Sequence, residues 1–170
     1  ATPVAEQKEA FRDAYDFIDK HPHPRLWALL AEHALDQTDF VVAEKAFVRC
    51  KDYQGIQFVK RLKHLEGDIQ KQRAENAANF LRFDEAEKIY KEIDRKDLAA
   101  GLRKRLGDWF KVVQLVQEGG LDEVQIQEAW NNIGDYYADR QKWAKAVQYY
   151  SQAKNYGKLV EFYYVLCFSL

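Results

Sequence analysis

The chain has 170 residues, 47% of them hydrophobic and 31% charged, with 26 basic and 27 acidic side chains. So even a balance argues against a nucleic-acid arm or an acidic tail as the main feature and fits a soluble helical protein. The opening "ATPVAEQKEAF" lacks the basic and apolar regions of a secretory signal, no apolar run approaches the ~20 residues of a membrane helix, and Cys50 and Cys167 are too few for a disulfide framework. A reducing, cytosolic-type compartment is the expectation.

The predicted elements are helices throughout. β-branched clusters with period-two alternation are absent, and the three prolines stand at 3, 22 and 24, so nothing after Pro24 is barred from helix on that ground. The first helix is expected from about Val4 to Ile18, with Val4, Phe11, Tyr15 and Ile18 on one stripe. "DKHPHPR" then turns the chain, and Pro24 suits the first turn of a second helix, where its missing N–H costs nothing. Residues 1–21 thus read as a lead helix and turn, and 22–170 as the array that follows.

Along that array one phrase recurs: one or two polar residues, a large apolar residue, then a helix. The instances are "TDFVVAEKAF", "KDYQGIQFV", "RFDEAEKIY", "KDLAAGLRKRL", "GDWFKVVQL", "QKWAKAVQYY" and "NYGKLVEFY". Aligned on Phe40, Phe83 and Trp143, three of them share an alanine three positions on (Ala43, Ala86, Ala146) and an aromatic seven positions on (Phe47, Tyr90, Tyr150). Asp97 and Asp108 are placed to cap the helices after them.

In "WNNIGDYYADRQKWAKAVQYY", Trp130, Ile133, Gly134 and Tyr137 form one helix face, and Ala146, Tyr150 and Ala153 the face of a second helix. Gly134 costs a helix about 1 kcal/mol against alanine. Such a residue belongs where two helices cross closely, with Ala146 as the small partner. The pattern is the tetratricopeptide signature. A second copy has Trp27, Leu30, Ala31, Ala43 and Phe47, and in both copies tryptophan and alanine are 16 residues apart. A weaker third has Ala74, Ala77, Ala86 and Tyr90. Ala43 to Ala86 is 43 residues and Ala86 to Ala146 is 60, against about 34 for the ideal repeat, so divergent hairpins fill the gaps. The expected fold is all-α, a TPR-like α-solenoid of roughly eleven helices in antiparallel hairpins, elongated in shape.

Chemistry has little to work with. The chain has two serines (Ser151, Ser169) and two threonines (Thr2, Thr38), and Cys50 falls on the inner repeat face, where a buried thiol is inert. His21 and His23 lack partners at ligand spacing and lie in the proline turn. Gly119-Gly120 reads as a helix end and not as a phosphate loop. No enzyme activity, cofactor or metal is expected. The basic clusters "KRLKH" and "RKR" leave an RNA-reading helical repeat open, but equally dense acids and the uneven repeat length oppose it. Protein binding remains. In TPR domains that clamp C-terminal carboxylates, lysine and asparagine stand one and five positions after the tryptophan; here Asn131 and Asp135, and Ala28 and Glu32, stand there. Asp135 and Asp139 instead make the face acidic and suited to a basic or mixed partner. Tyr136 and Tyr149 are candidate contacts, and so are Tyr164 and Phe168 in the C-terminal helix.

The blocks "AEKAFVRCKDYQGIQFVKRL", "RFDEAEKIYKEIDRKDLA", "RLGDWFKVVQLV" and "NNIGDYYADRQKWAKAVQYYSQAKN" closely resemble the solenoid of the intraflagellar transport protein 121 family, WD-repeat subunits of the intraflagellar transport A complex. The resemblance covers about residues 22 to 166. It implies a non-enzymatic scaffold of the cilium and basal body that supports retrograde transport and the admission of membrane-protein cargo. Its partners would be sister subunits of the complex and ciliary cargo or cargo adaptors. The family's two N-terminal WD40 propellers are not in this sequence, so a solenoid segment of a longer protein is expected. In "LVEFYYVLCFSL", residues 162 to 166 cover all sides of one helix; this end is expected to be an open apolar edge, exposed by truncation, through which the segment self-associates.

Overall fold

A computed structural model describes residues 3–65, 67–119 and 122–168. Among these, the chain forms eleven α-helices and no strand. They are α1 (Pro3–Lys20), α2 (Pro24–Asp36), α3 (Phe40–Arg49), α4 (Tyr53–Lys63), α5 (Ile69–Asn79) and α6 (Phe83–Glu92), then α7 (Lys96–Arg105), α8 (Trp109–Gln117), α9 (Glu123–Asp139), α10 (Trp143–Gln152) and α11 (Tyr156–Phe168). Two compact units divide it, Ala1–Ile89 and Tyr90–Leu170, with the boundary inside α6. Each is a run of helical hairpins, the TPR-like solenoid fold.

The recurring phrase is a turn. Three residues separate consecutive helices in eight connections, and in all but the first, the proline turn before α2, the middle one (Thr38, Lys51, Leu81, Asp94, Gly107, Gln141 or Lys154) has φ between 56° and 70°. A left-handed residue just past a helix end lets the next amide turn back onto the last exposed carbonyls. Thus the Asp52 amide donates to the Phe47 carbonyl at 2.9 Å, Arg95 to Tyr90 at 2.8 Å, and Asn155 to Tyr150 at 2.9 Å. The same residue then begins the next helix. Asp39, Asp52 and Asp108 accept from the amides of Val42, Gly55 and Lys111, satisfying donors that the first turn leaves open. In six of the seven phrases the large apolar residue is the first residue of the helix that follows; Leu98 is the third of α7.

Asp97 departs from its expected role. Helix α7 begins at Lys96, so Asp97 lies inside the first turn and Arg95 holds the capping position without a side-chain cap bond. The Arg95 guanidinium grips both Asp97 oxygens, at 2.9 and 2.8 Å. That fork holds the Asp97 carboxyl below its ordinary range and engages the oxygens a cap would need. His23 takes a plain structural role: its Nδ1 accepts from the Arg25 amide at 3.2 Å and caps α2, with Pro24 next. Cys50 is half-buried at the end of α3, its Sγ 3.5 Å from the Phe47 carbonyl.

In the first unit α2 packs on α1, α3 and α5, and α3 on α4. Trp27, Leu30, Ala31, Ala34, Ala43, Ala46, Phe47, Phe58, Val59 and Leu62 are buried in one cluster. Ala31, Ala34, Ala43 and Ala46 have no exposed surface, which is what lets α2 and α3 approach closely. Trp27 meets Tyr15 edge-on at 4.9 Å between ring centres and carries the Arg49 guanidinium over its face. A polar latch ties the end of α2 to α5 and the next turn: Asp36 accepts from Asn76 at 2.8 Å and from Arg82 at 2.6 Å. Ala74, Ala77 and Ala86, from the weakest repeat copy, are also buried.

In the second unit α8 packs on α7 and α9, and α10 on α9 and α11. Val112, Val113, Ala129 and Ile133 are buried together, with Trp109, Trp130, Tyr137 and Tyr149 packed against them. Tyr90 and Ala146 are buried as well.

Candidate protein-contact surface

Helices α9 to α11 hold all six candidate contact residues, Asp135, Tyr136, Asp139, Tyr149, Tyr164 and Phe168. On α9 the signature glycine brings the next helix close: a Cβ built at Gly134 would lie 2.7 Å from the Tyr150 ring. The spacing argument names Ala146 as the partner of Gly134. The structure instead seats the ring four residues further on against it, while Ala146 is fully buried. Phe47, at the corresponding place in the other signature, lies against a glycine too, but on the following helix, where a Cβ at Gly55 would overlap the ring.

Seated there, Tyr150 has 1% of its surface exposed, yet its hydroxyl donates to Asp135 Oδ1 at 2.5 Å. Burial first, then the hydrogen bond and negative charge of Asp135, with Asp139 and Glu161 adding to them, raise the Tyr150 hydroxyl well above its ordinary range. Asp135 and Asp139 are exposed. Glu161 is partly balanced by Lys158 at 3.5 Å. The result is an acidic strip whose inner edge is a buried phenol.

The tyrosines divide. Tyr149 stacks on Trp130 and Tyr137 at 5.5 and 5.3 Å and meets Phe110 edge-on at 6.4 Å. Desolvation, reinforced by Tyr137, raises its hydroxyl pKa. Its ring therefore joins α8, α9 and α10, and Phe110 and Trp130 are members of that cluster that no residue spacing pairs with it. Tyr136 is 45% exposed, with the Arg140 guanidinium 3.6 Å above its ring centre. Arg140 also donates to the Tyr136 carbonyl at 3.0 Å. This exposed stacked pair went unnoticed in sequence, although the four-residue spacing on one helix is its signal.

Helix α11 lays Phe162 on Trp143 and Tyr150, at 5.2 and 5.4 Å. Tyr156, Val160, Tyr163 and Tyr164 remain exposed. The side chain of Phe168 lies outside the described residues. Among the described residues no group of three or more His, Cys, Asp or Glu is placed to hold a metal ion, and no helix is long and apolar enough to cross a membrane.

No protein-family model matches the chain. Among curated proteins it is 57% identical over 139 residues to WD repeat-containing protein 35 of Homo sapiens, and 56% identical over 139 residues to the Rattus norvegicus protein. Both matches cover 81% of the chain. The chain belongs to the WD repeat-containing protein 35 family. It spans 12% of the length of these relatives. The matched stretch is not the repeat their name records, because a WD repeat is four strands of a propeller blade and the described residues form no strand.

Proposed function

We propose that the chain is a non-enzymatic protein-interaction scaffold, a solenoid segment of an intraflagellar transport A-complex subunit. It would act at the cilium and basal body, in retrograde transport and in bringing membrane-protein cargo into cilia. The observation that carries this reading is the identity above one half, over four fifths of the chain, with WD repeat-containing protein 35. The geometry is in keeping with it: an exposed acidic strip, an exposed tyrosine–arginine pair and hairpins held by packing. Asp135, Asp139 and Tyr136 are the contacts we assign to a sister subunit or cargo adaptor, with Tyr164 and Phe168 assigned to a contact at α11. Tyr149 is the weakest of the six candidates, since its faces are taken by neighbouring rings.

The test is retention of purified A-complex subunits on the immobilised chain, beside a panel of unrelated peptides. Retention of at least one subunit, weakened by Asp135→Lys with Asp139→Lys, is the expected result. Clean binding to one peptide class with no subunit retained would favour a general TPR adaptor instead. RNA binding that falls steeply with salt would favour an RNA-binding helical repeat.

A further inference from the structure

The first unit holds a groove that the acidic strip does not involve. Phe47 and Phe58 form its floor and Phe80 and Tyr53 its walls, in a volume of about 580 Å³. Phe47 and Phe58 are buried, whereas Tyr53 is 77% exposed. Gly55 lets the Phe47 part of the floor sit where it does: that ring occupies the space where a Cβ would stand.

Around this apolar floor stand the side-chain amides of Gln54, Gln57 and Asn79. All three are exposed, and none is engaged in a hydrogen bond among the described residues. Each amide offers both donor and acceptor, which is what the alternating N–H and C=O groups of an extended backbone require. At one end Arg61 lies with its guanidinium 5.6 Å from the centre of the Phe58 ring. No carboxylate pairs with it among the described residues. Stacking holds the plane of the guanidinium and leaves its N–H fork open to a carboxylate. At the other end Asp52 caps α4 through the Gly55 amide at 2.9 Å. The two charges are nine residues apart along α4, about 13 Å at the helical rise.

We propose that this groove docks an extended peptide segment bearing an acidic side chain beside an apolar one, with the acid at the Arg61 end. The polarity fixes a direction. About four extended residues span the distance between the charges, so an acid at Arg61 excludes a second acid four positions away, next to Asp52. A single-stranded nucleic acid fits less well, since backbone tracking calls for a row of cations with stacking faces. Here one arginine faces one aspartate, and two of the four aromatic rings are buried. The proposal rests on the reading of the chain as an interaction scaffold and adds a partner chemistry to it.

The test is selection of a phage library of random linear peptides on the whole chain, followed by affinity measurement on the enriched peptides. The expected outcome is enrichment of an acidic residue beside an aromatic or branched apolar one. Affinity should fall about tenfold or more in Arg61→Glu, recover in Arg61→Lys, and weaken in Gln57→Ala. Both positions are exposed, so the fold should tolerate the changes, which circular dichroism would verify. Enrichment of basic peptides, no enrichment, indifference to Arg61→Glu, or Arg61-dependent binding of an oligouridylate probe would each overturn the proposal. Retention of A-complex subunits by Arg61→Glu, measured in parallel, separates the two readings. If it persists while no peptide is selected, the groove assignment fails and the scaffold reading stands.

Discussion

At the scale of single residues, two glycines beneath aromatic rings set how closely helices meet. A side chain at Gly134 must displace the Tyr150 ring or push α9 from α10. Gly134→Leu should therefore cost about 3 kcal/mol through overpacking, read as a fall in the midpoint of urea unfolding. Adding Tyr150→Ala should make the pair less costly than the sum of the single changes, as contacting sites do; simple additivity would show that the ring is not the obstacle. Tyr150 also carries a pH dependence. Its folded-state pKa is raised above the ordinary value near 10, so the folded chain keeps a proton that the unfolded chain releases. Stability from this group is complete below about pH 10 and declines as pH rises beyond it. Tyr150→Phe should lose about 1–2 kcal/mol near neutrality, with the hydrogen bond to Asp135 gone, and show a flatter alkaline decline. An alkaline limb identical to that of the parent chain would reject this assignment.

At the scale of elements, the turn between helices is the repeating device. Its middle residue is left-handed in seven of the eight three-residue connections, six of the seven without glycine. A β-branched residue is strained there, so Gln141→Val should destabilise by about 1–2 kcal/mol, whereas Gln141→Gly should not. Thermal melts of the two variants decide it. The cap adds a separate contribution: Asp52→Ala should cost about 1 kcal/mol. The latch at Asp36 joins three elements at once. Asp36→Ala leaves the Asn76 amide and the Arg82 guanidinium without their shared acceptor, a loss of about 1–3 kcal/mol. Amide exchange should rise first in α5, and uniform exchange would argue that the latch is dispensable.

At the scale of the molecule, α11 brings its apolar surface into question. Phe162 packs inward, while Tyr156, Val160 and Tyr163 present apolar surface outward. We propose that copies of the isolated chain associate through this face. Sedimentation should show a mass that rises with concentration across the micromolar range, and Val160→Ser with Tyr163→Ser should abolish the rise. A monomer throughout, in both proteins, would mean that the face needs no cover.

Much of the fold was legible in sequence because helical hairpins are local. Apolar spacing, the alanines at 43, 86 and 146, and the polar phrase before each large residue depend on neighbours a few positions away. Those signals yielded the helices, their antiparallel pairing and the buried faces of both signatures. Asp97 escaped because its carboxylate had a competing partner two residues back, which a capping pattern does not register. The ring against Gly134 escaped because spacing identifies a helix face but not which side chain on the opposing helix fills the gap. Likewise Tyr149 shows an aromatic residue but not the stack of Trp130 and Tyr137 that claims its faces, and no local pattern brings Phe80, just past α5, to the groove that Phe58 and Arg61 of α4 line. The sequence by itself determined where helices start, stop and turn, since those choices rest on backbone hydrogen bonds within about five residues. Only the tertiary structure decided which rings, carboxylates and amides share a surface, because that depends on how side chains from separate helices fill one space.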